Sequence, residues 1–220
     1  MSKRRVIVLL GALAMASAYP QLARAHPHVL VDATESVIFN AAGEATAVAS
    51  SWSFDDAFSA YAVQGYDSKG DGLPTRDDLQ PLAETNMKSL ERYHYFTRLT
   101  LDGKPVALGS PTNYWDEFID ERMVLHFTLP LAQPLSIAHH TLSLQVYDPD
   151  YFAAVTLAPV QPSSFAGEPS GCTGVIQRPE ALDASAAARL AQIPVTQREL
   201  PPELRSLTNT LVNAVTLRCR

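Results

Sequence analysis

The chain has 220 residues, of which 46% are hydrophobic and 18% are charged, and its formal net charge is −6. This length suits one domain, or one domain with an elaboration, and it allows a sizeable buried core. The excess of acidic residues argues against nucleic acid and anionic membrane surfaces as partners, because both repel a negatively charged protein.

The N-terminal segment predicts export. Three basic residues at 3–5 precede an apolar run over 6–18 that is too short to span a bilayer, a pattern typical of a secretory signal peptide. Cleavage motifs of the A-x-A type end at Ala25 and, as an alternative, at Ala18. We expect residues 1–25 to be removed and residues 26–220 to form a single periplasmic α+β domain. No later stretch approaches the length of a membrane span, so the processed protein is expected to be soluble.

Cleavage after Ala25 would expose a cluster of nitrogen ligands. The chain would then begin His26-Pro27-His28, so a free amine and two imidazoles would lie close together. Alternate residues of a strand point to one face, and imidazole suits zinc, nickel and copper. Pro27 has no backbone N–H, which excludes a square-planar site built from deprotonated amides. The pattern predicts a divalent transition metal, zinc or nickel/cobalt before copper; two solvated histidines at a frayed terminus are the alternative.

The segments that follow predict a hairpin and then helices. Alternation over 29–39 and 44–53, separated by an Asn-Ala-Ala-Gly turn, favours two paired strands. A short helix is expected over 55–63, within a helical or loop insertion over about 55–94. Asp55, and Asp148 further along the chain, lie among aromatic residues. Such acids either complete a metal site or, as the alternative, cap helices and turns.

Residues 67–78 have the outline of an EF-hand calcium loop. Its acidic and hydroxyl positions are filled by Asp67, Asp71, Thr75 and Asp78. Lys69 replaces an oxygen ligand and brings a positive charge, so we expect calcium to bind weakly or not at all. The alternative is an Asp-Gly turn that leads into a helix, with Thr75 and Asp78 forming a capping box.

From residue 95 the hydrophobic period changes to two and predicts short strands. We expect strands at 96–101, 105–108, 122–129, 141–147 and 152–157, an irregular stretch at 159–179 and an Ala-rich helix at 179–192. The segment 209–219 fits a helix or a strand. The predicted fold class is α+β: a small antiparallel β-sandwich or curled sheet with a helical insertion and a C-terminal helix.

Two cysteines, Cys172 and Cys219, are present. An even pair in an exported chain predicts one disulfide, which would tie the C-terminal end to the chain near Cys172. Two thiolate metal ligands are the alternative, although neither cysteine has a neighbour at C-x-x-C spacing. The sequence also lacks the motifs of common hydrolases, P-loop proteins and dinucleotide-binding enzymes, so no catalytic residue is predicted.

The order of these segments resembles one bacterial family. The resemblance rests on His-Pro-His-Val at 26–29, Trp-Ser-Phe-Asp at 52–55, the Asp/Gly loop at 67–73, Tyr-His-Tyr-Phe-Thr at 93–97 and Val-Tyr-Asp-Pro at 146–149. The family has no established function, and its members are usually labelled as the periplasmic component of an uncharacterised ABC-type transport system. They are often encoded beside nickel/cobalt-type transporters, which implies a role in divalent-metal handling.

Together, these features predict a periplasmic metal-binding accessory protein of a metal transport system, with an inner-membrane transporter as its partner. Two alternatives stay open. One is a secreted mononuclear copper enzyme that holds its metal with an N-terminal histidine chelate, and the other is a non-catalytic interaction module of the cell envelope.

Overall fold

The computed structural model describes residues 27–220, apart from 160, 162, 166–167, 180, 195 and 209. The strands within that part are β1 Val29–Phe39, β2 Glu44–Phe54, β3 Thr97–Leu101, β4 Lys104–Val106, β5 Thr112–Ile119, β6 Arg122–Ser136, β7 Thr141–Val146, β8 Ala153–Leu157, β9 Ser163–Ser164, β10 Cys172–Gln177 and β11 Asn213–Cys219. The helices are α1 Asp56–Ala62, α2 Arg76–Glu91, α3 Ala184–Leu190 and α4 Arg205–Thr208, with short 3-10 turns at His94–Phe96 and Pro202–Leu204.

The strands form two sheets. The first has the order β5-β6-β2-β1-β8, with β9 also pairing with β1, and the second has the order β10-β11-β7-β3-β4. All pairings are antiparallel except those of β1 with β8 and β9, which are parallel. The predicted α+β class with two β layers and an early helical segment is confirmed. None of the helices in the described part of the chain is long and apolar enough to cross a bilayer.

The predicted N-terminal hairpin is confirmed, and its strand bounds agree with the prediction to within one residue. Val31 of β1 lies opposite Phe54 of β2, and Val37 lies opposite Val48. Alternate residues of both strands are buried, because one face of this sheet is turned to the core. The charged residue Glu35 is an exception on the buried face, and it is fully inaccessible to solvent.

The core is divided into clusters along β1. The first cluster contains the start of β1, the end of β2 and the buried face of α2, including Ala83 and Met87. A second cluster joins the two sheets through Val37 and Val48 on one side and β3, β7 and β11 on the other. A third, smaller cluster joins the C-terminal helical segments through Leu190, Ile193, Leu200 and Leu204. The first cluster ends at the edge where the candidate site lies.

The C-terminal third holds strands that were not predicted. The stretch 159–179 contains β9 at Ser163–Ser164 and β10 at Cys172–Gln177, and its other described residues lie outside strands and helices, as expected. Within the ambiguous segment 209–219, residues Asn213–Cys219 form a strand, β11. The last element of the chain is therefore a strand, and the Ala-rich helix α3 precedes it. In addition, β5 was not predicted at all, and β8 joins its sheet in parallel.

The predicted disulfide is confirmed. Cys172 and Cys219 are bonded across 47 residues, and their Cα atoms are 4.0 Å apart. The two cysteines are directly opposite each other in the β10–β11 ladder. The bond therefore ties an edge strand, most of whose side chains are exposed, to the strand that ends the fold.

Candidate functional site

Most of the segments that carry the family resemblance meet at one end of the first sheet. Because β1 and β2 are antiparallel, the start of β1 lies beside the end of β2, with Val31 opposite Phe54. Because β1 and β8 are parallel, the start of β1 also lies beside the start of β8, with Val29 opposite Ala153. The topology thus brings the segments around residues 28, 54 and 152 to a single edge.

A cavity of about 200 Å3 opens at this edge, and we call it the aromatic cavity. Its lining draws on all the resemblance segments except the Asp/Gly loop, together with the last turns of α2. Most of the lining is apolar or aromatic: Val29, Val31, Trp52, Phe54, Phe58, Leu90, Tyr93, Phe96, Leu125, Phe152 and Ala153. The polar lining consists of Asn86, Ser89, Arg92, Asp148, Asp150 and Arg198. A concave apolar site with few polar groups is the usual form of a small-ligand pocket.

One wall of the aromatic cavity is built on strained backbone. His94, Tyr95 and Phe96 all have positive φ angles, of 52°, 55° and 50°. Non-glycine residues rarely adopt this left-handed conformation, and each costs roughly 1–2 kcal/mol. The turn is held by tertiary contacts: the Tyr147 N–H donates to the Phe96 carbonyl, and the Phe96 ring stacks on Trp52 at 6.1 Å. Such strain is often associated with functional sites.

His28 lies at the beginning of β1, at the same edge. Its backbone N–H donates to the Phe152 carbonyl at 2.8 Å, and its ring stacks on Phe152 with centroids 4.7 Å apart. Burial and the nearby positive charge of Arg198 both lower the pKa of His28 below 6.5. The imidazole is therefore neutral at neutral pH, which is the form that binds metals. Its predicted partner His26 lies outside the described residues.

Asp55 joins α1 to β1. One carboxylate oxygen accepts the Phe58 N–H at 2.9 Å and so caps α1, and the other accepts the Leu30 N–H at 2.9 Å. The capping alternative raised by the sequence therefore describes this side chain. The carboxylate lies near the start of β1, but both of its oxygens serve the local backbone.

Asp148 has a similar arrangement on the opposite side of β1. Its two oxygens accept the N–H groups of Asp150 and Ala153, each at 2.9 Å, and fix the loop that leads into β8. Burial raises the pKa of Asp148, although those hydrogen bonds act in the opposite direction. The structure thus brings His28, Asp55 and Asp148 to one edge. Within the described residues, however, no three histidine, cysteine or acidic side chains are grouped as a metal site.

The Asp/Gly loop lies apart from the cavity lining, before α2. Asp67 accepts the N–H groups of Gly70 and Gly72 at 2.8 and 2.7 Å, which lowers its pKa. The predicted capping box is confirmed: the Asp78 N–H donates to the Thr75 hydroxyl, and Asp78 accepts the Thr75 N–H at 2.8 Å. Asp71 accepts the Leu73 N–H at 3.0 Å. The loop is thus organised by its own backbone hydrogen bonds.

Two buried carboxyl groups were missed by sequence reasoning. Glu35 accepts hydrogen bonds from the Ser50 hydroxyl at 2.7 Å and the Trp52 indole at 3.0 Å, and burial raises its pKa to about 7. Asp116 accepts a hydrogen bond from the Asn86 amide at 3.3 Å, and burial raises its pKa to about 7 as well. Both occupy inward-facing strand positions, where a hydrophobic residue is the ordinary expectation. For Glu35 the position along the predicted strand 29–39 was an available signal, whereas Asp116 lies on β5, which was not predicted.

Comparison with known proteins places the chain in a family. Residues 11–219 match a family described as "Protein of unknown function (DUF1007)". The chain belongs to the DUF1007 family. An uncharacterised protein of Haemophilus influenzae is 30% identical over 158 residues, which cover 70% of this chain and 74% of that protein. An uncharacterised 15.5 kDa protein from the trpE 3′ region of Spirochaeta aurantia is 31% identical over 90 residues, 41% of this chain and 64% of that protein.

Membership in DUF1007 bears out the predicted family of unknown function. The names of the two relatives state no ligand, reaction or partner.

Proposed function

We propose that this DUF1007 protein is a periplasmic metal-binding accessory of a transport system. It would bind one divalent transition metal, zinc or nickel/cobalt before copper, at its processed N-terminus. His26 would supply its free amine and imidazole, and His28 would supply a second imidazole. The metal would then be passed to, or taken from, an inner-membrane transporter.

The observation that carries this proposal is the setting of His28. The residue is fixed by a backbone hydrogen bond and a ring stack at the start of β1, and its lowered pKa keeps the imidazole neutral. A neutral, oriented imidazole loses little entropy and no proton when it binds a metal. It also lies two residues after the predicted position of a free amine, whose unperturbed pKa of about 7.7–8.0 allows a metal to displace its proton.

The hydrogen bonds of the two nearby carboxylates indicate a structural role for them. The oxygens of Asp55 and Asp148 already accept backbone N–H groups, so the proposed ligand set does not include them. They act instead on the strand ends that hold His28 in place. The accessory role is supported by the acidic net charge, which favours cations over anionic partners, and by the family resemblance.

Metal titration of the protein processed at Ala25 tests this proposal. Zinc and nickel affinities are measured by competition with a chromogenic chelator, for the native protein and for His26→Ala and His28→Ala. His140→Ala is the matched control, because His140 is an exposed histidine whose Nδ1 lies 2.6 Å from Asp102 in another part of the fold. We expect each N-terminal variant to lose at least tenfold in affinity, while the control keeps native affinity.

A second variant separates the amine from the imidazoles. One alanine inserted before His26 leaves both rings in place but moves the free amine one residue away. Weaker binding by the extended protein supports the amine chelate. Native affinity in the His26→Ala/His28→Ala double variant would refute the proposal and favour an envelope interaction module. Peroxide-dependent turnover by the copper-loaded protein would favour the copper enzyme.

A further inference from the structure

We propose that the aromatic cavity binds a small organic monocarboxylate. The apolar part of the ligand would fill the cavity between Trp52, Phe96 and Phe152, and its carboxylate would be met by the guanidinium groups of Arg92 and Arg198. Nothing in the family description or in the names of the two relatives assigns a ligand to this place.

The size of the cavity sets the size of the ligand. Its volume is about 200 Å3. An apolar protein cavity of about 150 Å3 is large enough for benzene. The aromatic cavity therefore has room for a phenyl ring or a short aliphatic chain with a small polar head. Its walls are aromatic and apolar side chains from β1, β2, β8 and α2, which favour such a body by the hydrophobic effect and by ring stacking.

The charges of the lining select the head group. The acidic residues already have partners: Asp148 accepts two backbone N–H groups, and Asp150 accepts the Leu200 N–H and pairs with Arg205 at 3.5 Å. The basic residues do not. Within the described residues, neither Arg92 nor Arg198 has a carboxylate within ion-pair distance.

Each of these arginines instead lies over an aromatic ring at the cavity. The Arg92 guanidinium is 4.7 Å from the Tyr93 ring centroid, and the Arg198 guanidinium is 5.9 Å from that of Phe152. Stacking of this kind orients a guanidinium without using its N–H groups, which remain available to a carboxylate. Both arginines are solvent-exposed at the cavity, so the lining charge that has no carboxylate partner among the described residues is positive. Carboxylate is the group that a guanidinium binds in bidentate geometry.

This inference goes beyond the proposed metal site and can fail independently of it. The donors of the metal site are His26 and His28, whereas the ligand proposed here contacts the cavity walls and two arginines. All binding measurements are made on the metal-free protein in the presence of a chelator. Failure of the metal-free protein to bind carboxylates would not affect the result of the metal titration. Failure to bind metal would likewise not affect the carboxylate measurements.

The test compares charged and uncharged ligands of the same shape. 3-Phenylpropionate and hexanoate are the carboxylate probes, and 3-phenylpropanamide and hexanamide are their neutral counterparts. Binding is followed by the indole N–H signals in two-dimensional NMR. Trp52 lines the cavity, whereas Trp115 lies elsewhere in the first sheet and stacks on His126, so it serves as an internal reference. We expect the Trp52 signal alone to shift, with the carboxylates binding at least tenfold more tightly than the amides.

Arginine variants show whether the preference comes from the cavity. In Arg92→Gln and Arg198→Gln the ratio of carboxylate to amide affinity should fall at least threefold in each variant, and the double variant should lose the preference. Arg218→Gln is the matched control, because Arg218 is an exposed arginine on β11 outside the cavity lining. Three results would overturn the proposal: no shift of the Trp52 signal at millimolar ligand, equal affinity for acids and amides, or an equal effect of Arg218→Gln.

Discussion

Glu35→Gln should increase the free energy of unfolding relative to the native protein, and this gain should be larger at pH 8 than at pH 4.5. Glu35 is fully buried on β1 between the two larger core clusters, and its partners are the Ser50 hydroxyl and the Trp52 indole. Burial raises its pKa from 4.5 to about 7. Glutamine has nearly the same volume, and its amide can still accept from Trp52 and donate to Ser50, so the packing is retained while the titrating group is removed.

The sign and size follow from proton linkage. Between pH 4.5 and 7 the folded state holds a proton on Glu35 that the unfolded state has released, so the free energy of unfolding falls as pH rises through that window. Raising a pKa from 4.5 to about 7 corresponds to roughly 3 kcal/mol at full effect. Below pH 4.5 Glu35 is protonated in both the folded and the unfolded state, so it no longer destabilises the native protein. Above pH 7 it is ionised in both states, and the destabilisation of the native protein stays constant.

The assay is urea unfolding followed by circular dichroism at pH 4.5, 6 and 8. The quantity of interest is the difference in unfolding free energy between Glu35→Gln and the native protein, because groups common to both proteins cancel. That difference should shift in favour of the variant by about 3 kcal/mol from pH 4.5 to pH 8. Glu84→Gln, which removes an exposed carboxylate from α2, is the matched control for the loss of one charge. A difference that stays constant with pH, or that grows towards acid, would refute the reasoning.

Three further predictions concern stability and ion binding. Asp55→Ala removes the acceptor of two backbone N–H groups and should lower the unfolding free energy by about 1–2 kcal/mol in urea titrations while leaving zinc affinity unchanged; a large loss of affinity would make Asp55 a ligand. Cys172→Ser/Cys219→Ser opens a 47-residue loop and should lower the unfolding free energy by about 4 kcal/mol, and native stability in the oxidised state would contradict this. Asp67→Ala should lower the melting temperature equally in calcium and in chelator, whereas a calcium-dependent stabilisation lost in the variant would show that the loop binds calcium.

Local signals in the sequence predicted the parts of the fold that local chemistry determines. The 29–39 and 44–53 strands alternate with period two and flank a short turn, so their pairing requires no distant information. The start of α2 follows from the Thr75 and Asp78 capping box, which is a contact over three residues. The disulfide was predicted from the cysteine count and the expected export, and the ladder places the two residues opposite each other.

Other elements depend on long-range contacts that leave little trace in the sequence. β10 has mostly exposed side chains on both faces, so it shows no alternation, and its pairing with β11 accounts for its extended conformation. β8 was predicted as a strand, but its parallel pairing with β1 depends on how the chain crosses the fold. The left-handed turn at 94–96 contains no glycine, so composition could not predict a conformation that packing imposes.

In the candidate site, too, some features were predictable from the local sequence and others depend on long-range contacts. His28, Asp55 and Asp148 were selected by residue type, and the strand pairing does bring them to one edge. The hydrogen bonds that occupy both carboxylates could not be predicted, because each joins a side chain to the backbone of a neighbouring strand end or loop. The aromatic cavity also depends on tertiary structure, since its lining comes from six separate stretches of the chain.

Native mass spectrometry of the untagged protein, purified from the periplasm, shows whether the processed N-terminus binds a metal. We expect a mass that begins at His26 and carries one zinc, nickel or cobalt ion, and a bare protein when His26 and His28 are both replaced by alanine. A chain that begins at Tyr19, or one that begins at His26 and stays bare under equimolar zinc, nickel and copper, would contradict it.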